Sequence, residues 1–209
     1  MDEASDRTAL LTALVTEHSV LQSANSTTYS EASARSALYV MTLSSSLVAI
    51  GFAAGSTGLL RPFAAVVLPP VFVLGIFTVV RLVETGLESS HYLDGIARIR
   101  AYYRTLGPDA ARLFAPELGR WPEVESPALR LGPVVGFLGT TASMVAVINN
   151  VVAGVGIALL ARSLFPSAPP WAGPASGIVG ALALTWLFYK YQRWRFVEYD
   201  PRTTRRREV

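Results

Sequence analysis

The chain has 209 residues, 51% of them hydrophobic and 16% charged, with a formal net charge of +3 and a mean hydropathy of +0.39. That balance is too apolar and too weakly charged for an ordinary soluble domain of this length. The sequence has no cysteine, which excludes disulfides, thiolate metal sites and cysteine nucleophiles.

Residues 1–35 begin Met1-Asp2-Glu3, without a basic segment followed by an apolar one, so no cleaved signal peptide is expected. Residues 4–24 read as an amphipathic helix. Leu11, Leu14, His18 and Leu21 recur at spacings of three and four, and Leu10 and Val15 widen the stripe. Asn25 to Ser30 is polar and reads as an interruption. Thr28 with Glu31 matches a capping box that starts a second helix leading into the first span. The apolar stripe packs either on the protein's own cytoplasmic surface or between subunits, where His18 and Asn25 act as polar residues fixing register.

Four long uncharged windows follow, and each suffices to cross a core about 30 Å thick. The first is 36–60 and the second 62–80, with Arg61 alone between them and Pro62 suited to a first helical turn. Pro69 and Pro70 lie inside the second window, where two missing donors predict a kink or local unwinding. Residues 81–130 lie between the hairpins. The helix of span two continues to about Leu106 with a stripe of Leu82, Leu93, Ile96, Ile99, Tyr103 and Leu106, and five prolines then mark a loop. The third window, 131–161, is longer than a perpendicular span, so its helix is expected to tilt or protrude. Pro166, Pro169 and Pro170 mark a turn before the fourth window, 171–189, and residues 190–209 form a basic tail.

The expected fold is therefore an all-α membrane protein with four transmembrane helices as two hairpins, an amphipathic N-terminal helix and a cytoplasmic extension of the second span. Alternate segments outside the spans hold 16 and 2 of the 18 basic residues. That asymmetry places the N-terminus, the central segment and the C-terminus in the cytoplasm of a multi-pass protein of the cell membrane. Trp186, Tyr189, Tyr191 and Trp194 form an aromatic belt at the inner end of span four, and Trp171 marks the outer end.

Asn149 and Asn150 are the most informative side chains, since an unpaired amide within a span is costly. Neighbouring helical positions point about 100° apart, so the two amides face different ways. They serve either as interhelical polar contacts or as the lining of a pore or ligand site. Asn150 joins Ala146, Gly154 and Ala158 in a stripe of small residues. Further small-residue stripes are Gly51-x-x-x-Gly55, preceded by Ser44, Ser45 and Ser46; Gly132, Gly136 and Thr140; and Gly173-x-x-x-Gly177. Such stripes let helices approach closely, within or between subunits. Arg205, Arg206 and Arg207 suit contact with anionic lipid.

Glu84, Glu88 and His91 share a helical face, and Glu88-x-x-His91 has the spacing of a carboxylate–imidazole metal pair. A complete site needs a second such motif, so no metal or cofactor is expected. No catalytic signature occurs, no acidic residue lies within a span, and nothing resembles a nucleic-acid-recognition fold. Two roles follow: a non-enzymatic structural or interaction subunit of a membrane assembly, or a homo-oligomeric channel or pore-forming effector. The layout is similar to small bacterial membrane effectors and accessory proteins whose helical hairpins bear a cytoplasmic helix, a likeness of architecture that supplies no function.

Overall fold

A computed structural model of the chain describes residues 3–56, 58–115 and 139–198, apart from the side chains of residues 3 and 4. Every regular element among them is helical: α1 (Glu3–Ala54), α2 (Leu60–Tyr103), a 3-10 turn (Arg104–Leu106), α3 (Pro108–Leu113), α4 (Thr141–Leu164) and α5 (Ala172–Glu198). Four of these, α1, α2, α4 and α5, are long and apolar enough to cross a membrane. The described residues are thus all-helical, and the protein is a multi-pass membrane protein.

Helix α1 passes unbroken through residues 25–30, so the expected interruption and capping box do not form. The hydroxyls there donate to carbonyls of the preceding turn: Ser26 to Ser23 at 2.9 Å, Thr27 to Ser23 at 3.1 Å and Thr28 to Asn25 at 2.7 Å. A hydroxyl satisfied in this way does not compete with the helix, and Thr28 points backwards instead of capping a new start.

Helix α2 likewise runs without unwinding through Pro69 and Pro70. Both prolines sit on an exposed face. Each removes one donor, which leaves the carbonyls of Ala65 and Val66 without their usual partners, but the ladder on either side holds the helix.

Helix α4 begins at Thr141, not at Leu131. Thr140 is its N-cap, in extended conformation, and its hydroxyl accepts from the Ser143 N–H at 3.2 Å. The resulting 24 residues match a span without excess length. Residues 131–138, including Gly132 and Gly136, lie outside the described residues, as do most of the proline-rich loop and the end of the tail with Arg205, Arg206 and Arg207. The turn after α4 holds Pro166, Pro169 and Pro170, with Ala168 N–H donating to Phe165 O at 3.1 Å. Helix α5 extends to Glu198, so the first part of the basic tail continues the helix.

The chain divides into two compact units, Met1–Glu31 with Glu84–Gly136 and Ala32–Val83 with Phe137–Val209. In the first, Leu11, Leu14, His18, Leu21, Asn25 and Thr28 form the inward face of α1, while α2 contributes buried Leu87, Ile96, Ile99 and Tyr103. Leu10 is 46% and Val15 61% exposed, so neither widens that face. Gly95 admits the Leu21 side chain: a Cβ there would lie 2.9 Å from Leu21 Cδ1. Tyr103 packs against Phe114 at 5.2 Å between ring centroids.

In the second unit α4 and α5 meet in opposite sequence order. Ser143 reaches Gln192, Asn150 reaches Thr185 and Gly154 meets Gly177. Large apolar side chains of this unit, among them Met41, Phe52, Val66, Phe77, Met144 and Leu182, are exposed.

Candidate functional site

Several polar side chains of the second unit are buried inside it. Asn149 is 2% and Asn150 7% exposed. The Tyr39 hydroxyl donates to Asn149 Oδ1 at 3.2 Å, and Asn149 Nδ2 donates to the Phe72 carbonyl at 3.2 Å. One amide thus ties α1 and α2 to α4. Gly75 makes room for it, because a Cβ at that position would collide with the Asn149 carboxamide. Asn150 faces α5, where its Nδ2 donates to Thr185 Oγ1 at 3.1 Å. Thr185 in turn donates to Ala181 O at 2.8 Å. The two neighbouring amides therefore serve two different interfaces, as their angular separation on a helix requires.

A second cluster closes one end of the α4–α5 pair. Gln192, only 1% exposed, accepts from the Ser143 hydroxyl at 3.1 Å through Oε1 and donates to Thr140 Oγ1 at 3.2 Å through Nε2. Sequence reasoning missed Gln192, Tyr39 and Gly75. Gln192 stands among Tyr191, Arg193 and Trp194, and so reads as part of a basic, aromatic flank. Its register was visible, since Gly177, Ala181, Thr185 and Gln192 fall on one helical face. Tyr39 lies two heptads beyond Asn25 on the inward face of α1.

The small-residue stripes divide sharply. A Cβ on Gly154 would lie 2.6 Å from Gly177 O, one on Gly177 2.5 Å from Gly154 O, and one on Gly173 3.2 Å from Ala158 O. These three glycines let the α4 and α5 backbones touch. Gly51 has nothing within 4 Å, and Gly55, in the turn after α1, meets only its own helix end at Phe52 O. Among the described residues the Gly51-x-x-x-Gly55 stripe therefore packs on no other element. At the far end of α5, Lys190 lies 4.6 Å over the Trp186 ring and Arg195 5.8 Å over Trp194.

A wholly aliphatic cleft of about 430 Å³ lies in the second unit, bounded by Leu43 and Ile50 of α1, Leu60 and Leu68 of α2, and Val151 and Val155 of α4. Among the described residues, no group of three histidine, cysteine or acidic side chains is placed to hold a metal. In the first unit His91 Nδ1 lies 3.0 Å from Leu87 O, within its own helix.

His18 stacks on Tyr103 with ring centroids 6.2 Å apart and planes within 6°. Burial first, and the Arg100 guanidinium second, lower its pKa below the ordinary 6.5. The folded imidazole thus binds a proton less readily than the unfolded one. Its contribution to stability is complete above about pH 6.5 and shrinks as the pH falls below that value. Thermal melts at pH 7.5 and 5.5 are expected to differ more for the native protein than for His18→Gln. Equal pH sensitivity in the two would remove His18 from the account.

No protein-family model matches the chain, and neither does any curated protein or solved structure. The fold and the site alone define its class: a multi-pass helical membrane protein in which the buried amides Asn149, Asn150 and Gln192 bond across helices.

Proposed function

We propose that the protein is a non-enzymatic integral membrane protein, a structural or interaction subunit of an assembly in a bacterial cell membrane. Its four spans form two hairpins, and both termini lie in the cytoplasm. The observation that carries this reading is the use made of the polar groups. Asn149, Asn150, Ser143, Thr185 and Gln192 are bonded across helices of one chain, while large apolar residues face outward. Spent in this way, the amides orient helices. The bilayer is the medium of the exposed apolar faces. Arg205, Arg206 and Arg207 hold the C-terminus to anionic lipid, at about 1 kcal/mol per charge near the surface.

A homo-oligomeric channel or pore-forming effector is the second reading. It is favoured by the open face at Gly51 and by the exposure of Ser44 and Ser45 in the same span. A second copy seated there would bring hydroxyls to a shared lumen.

Native mass spectrometry of protein extracted gently from its own membrane separates the two. A monomer or dimer carrying a different protein supports the subunit reading. A closed ring of identical chains overturns it in favour of the pore. Asn149→Leu and Asn150→Leu are expected to lower thermal stability, each by about 1–2 kcal/mol, since each lost membrane hydrogen bond is worth about 0.6 kcal/mol on average and the abandoned partners add to that. Unchanged stability with altered conductance would instead place both amides on a conduction path.

A further inference from the structure

The first unit contains a pocket of about 350 Å³ that the scaffold reading does not use, lined by His18, Gln22, Asn25, Ser26 and Tyr29 of α1 and by Ile96 and Arg100 of α2. Its volume falls at the small end of the range for small-molecule sites. Its lining is rich in donors and holds no carboxylate.

Asn25 is the informative member. It is 6% exposed, and its Oδ1 accepts from the Ser89 hydroxyl at 2.7 Å. Its Nδ2 has no partner among the described residues, unlike the Nδ2 groups of Asn149 and Asn150. Held through its carbonyl arm, this side chain leaves its amide N–H groups to the pocket it lines, as donors open to an acceptor there. Arg100 brings a fixed positive charge to the same wall, with its Cζ 5.6 Å from the Phe114 ring centroid. Ile96 and the rings of His18 and Tyr29 supply the apolar remainder.

We propose that this pocket binds a small organic anion, with its phosphate or carboxylate held by Asn25 Nδ2 and the Arg100 guanidinium and its planar body against Ile96, His18 and Tyr29. An anion is selected because the charged side chain of the lining, Arg100, is basic, the lining holds no carboxylate, and the unused Asn25 group is a donor. A bare inorganic ion would leave most of the volume empty, so the ligand carries a ring-sized body. Such a site would make the unit a receptor for a metabolite as well as a packing element.

The test uses the full chain in nanodiscs of zwitterionic lipid, titrated calorimetrically at constant ionic strength. The probes are phenyl phosphate and benzoate, with phenol as the uncharged body and inorganic phosphate as the bare anion. At least one of the two organic anions is expected to saturate, at least tenfold more tightly than phenol or inorganic phosphate. Asn25→Asp keeps the shape and the acceptor toward Ser89 but replaces the donor with a negative charge. It is expected to weaken binding at least tenfold, and so is Arg100→Gln, with melting midpoints close to the native one. Phenol binding as tightly as the organic anions would overturn the proposal, as would full affinity in a folded Asn25→Asp protein or the absence of saturable binding by either anion.

Discussion

Replacing Gly177 with alanine is expected to destabilise the α4–α5 pair by about 2–3 kcal/mol, near the upper end of the usual cost of overpacking. The added Cβ would stand 2.5 Å from Gly154 O and 3.0 Å from Ala158 Cβ. The first of these is backbone, so no rotamer change relieves it, and the two helices must separate. Separation also strains the Asn150–Thr185 bond farther along the same seam. Two controls isolate the cause. Gly180→Ala meets the tip of the Ile157 side chain, Cδ1 at 2.5 Å, which can swing aside, so its cost is expected to be small. Gly51→Ala meets nothing within 4 Å and is expected to be neutral or stabilising by up to about 1 kcal/mol, through helix propensity alone. Equilibrium unfolding in mixed micelles reads all three. A Gly177→Ala protein as stable as Gly51→Ala would mean that α4 and α5 do not meet backbone to backbone.

The same comparison marks how far the sequence can be read. Gly51-x-x-x-Gly55 and Gly173-x-x-x-Gly177 are the same motif, yet only the second touches another helix. Spacing records that a close approach is possible, and the partner that makes it lies elsewhere in the chain. The apolar windows were legible because span length is a property of a continuous segment. Their ends were less so: Leu131 and Thr141 both begin apolar stretches, and the helix starts where Thr140 supplies a side-chain cap. Local rules also erred where a long helix overrides them. Residues 25–30 read as an interruption and the Pro69-Pro70 pair as a kink or local unwinding, but hydroxyls bonded within the helix leave α1 continuous, and α2 passes its two prolines without unwinding. For the site, Asn149 and Asn150 stood out because amides are conspicuous among apolar residues. Tyr39 and Gln192 did not, because near the ends of spans such residues resemble interfacial ones. Gly75 was invisible without Asn149 beside it.

That last pair gives the largest expected effect. Gly75→Ala places a methyl where the Asn149 carboxamide lies, so the amide must leave its position. It then loses both the Tyr39 hydroxyl and the Phe72 carbonyl, and Tyr39, 0% exposed, keeps a buried hydroxyl without its acceptor. Overpacking and abandoned polar groups together are expected to cost about 3–5 kcal/mol. Asn149→Ala alone is expected to cost about 2 kcal/mol, since it gives up the same bonds but adds no collision. The two effects should not add. In the double variant the methyl of residue 75 enters space the carboxamide has vacated, so Gly75→Ala/Asn149→Ala is expected to be about as stable as Asn149→Ala by itself and more stable than Gly75→Ala. A second change that restores stability is hard to obtain except from direct contact. Adding Tyr39→Phe to Asn149→Ala should then cost little, because the hydroxyl has already lost its acceptor. Strict additivity of Gly75→Ala and Asn149→Ala would separate the two residues and dissolve the junction that ties α1 and α2 to α4.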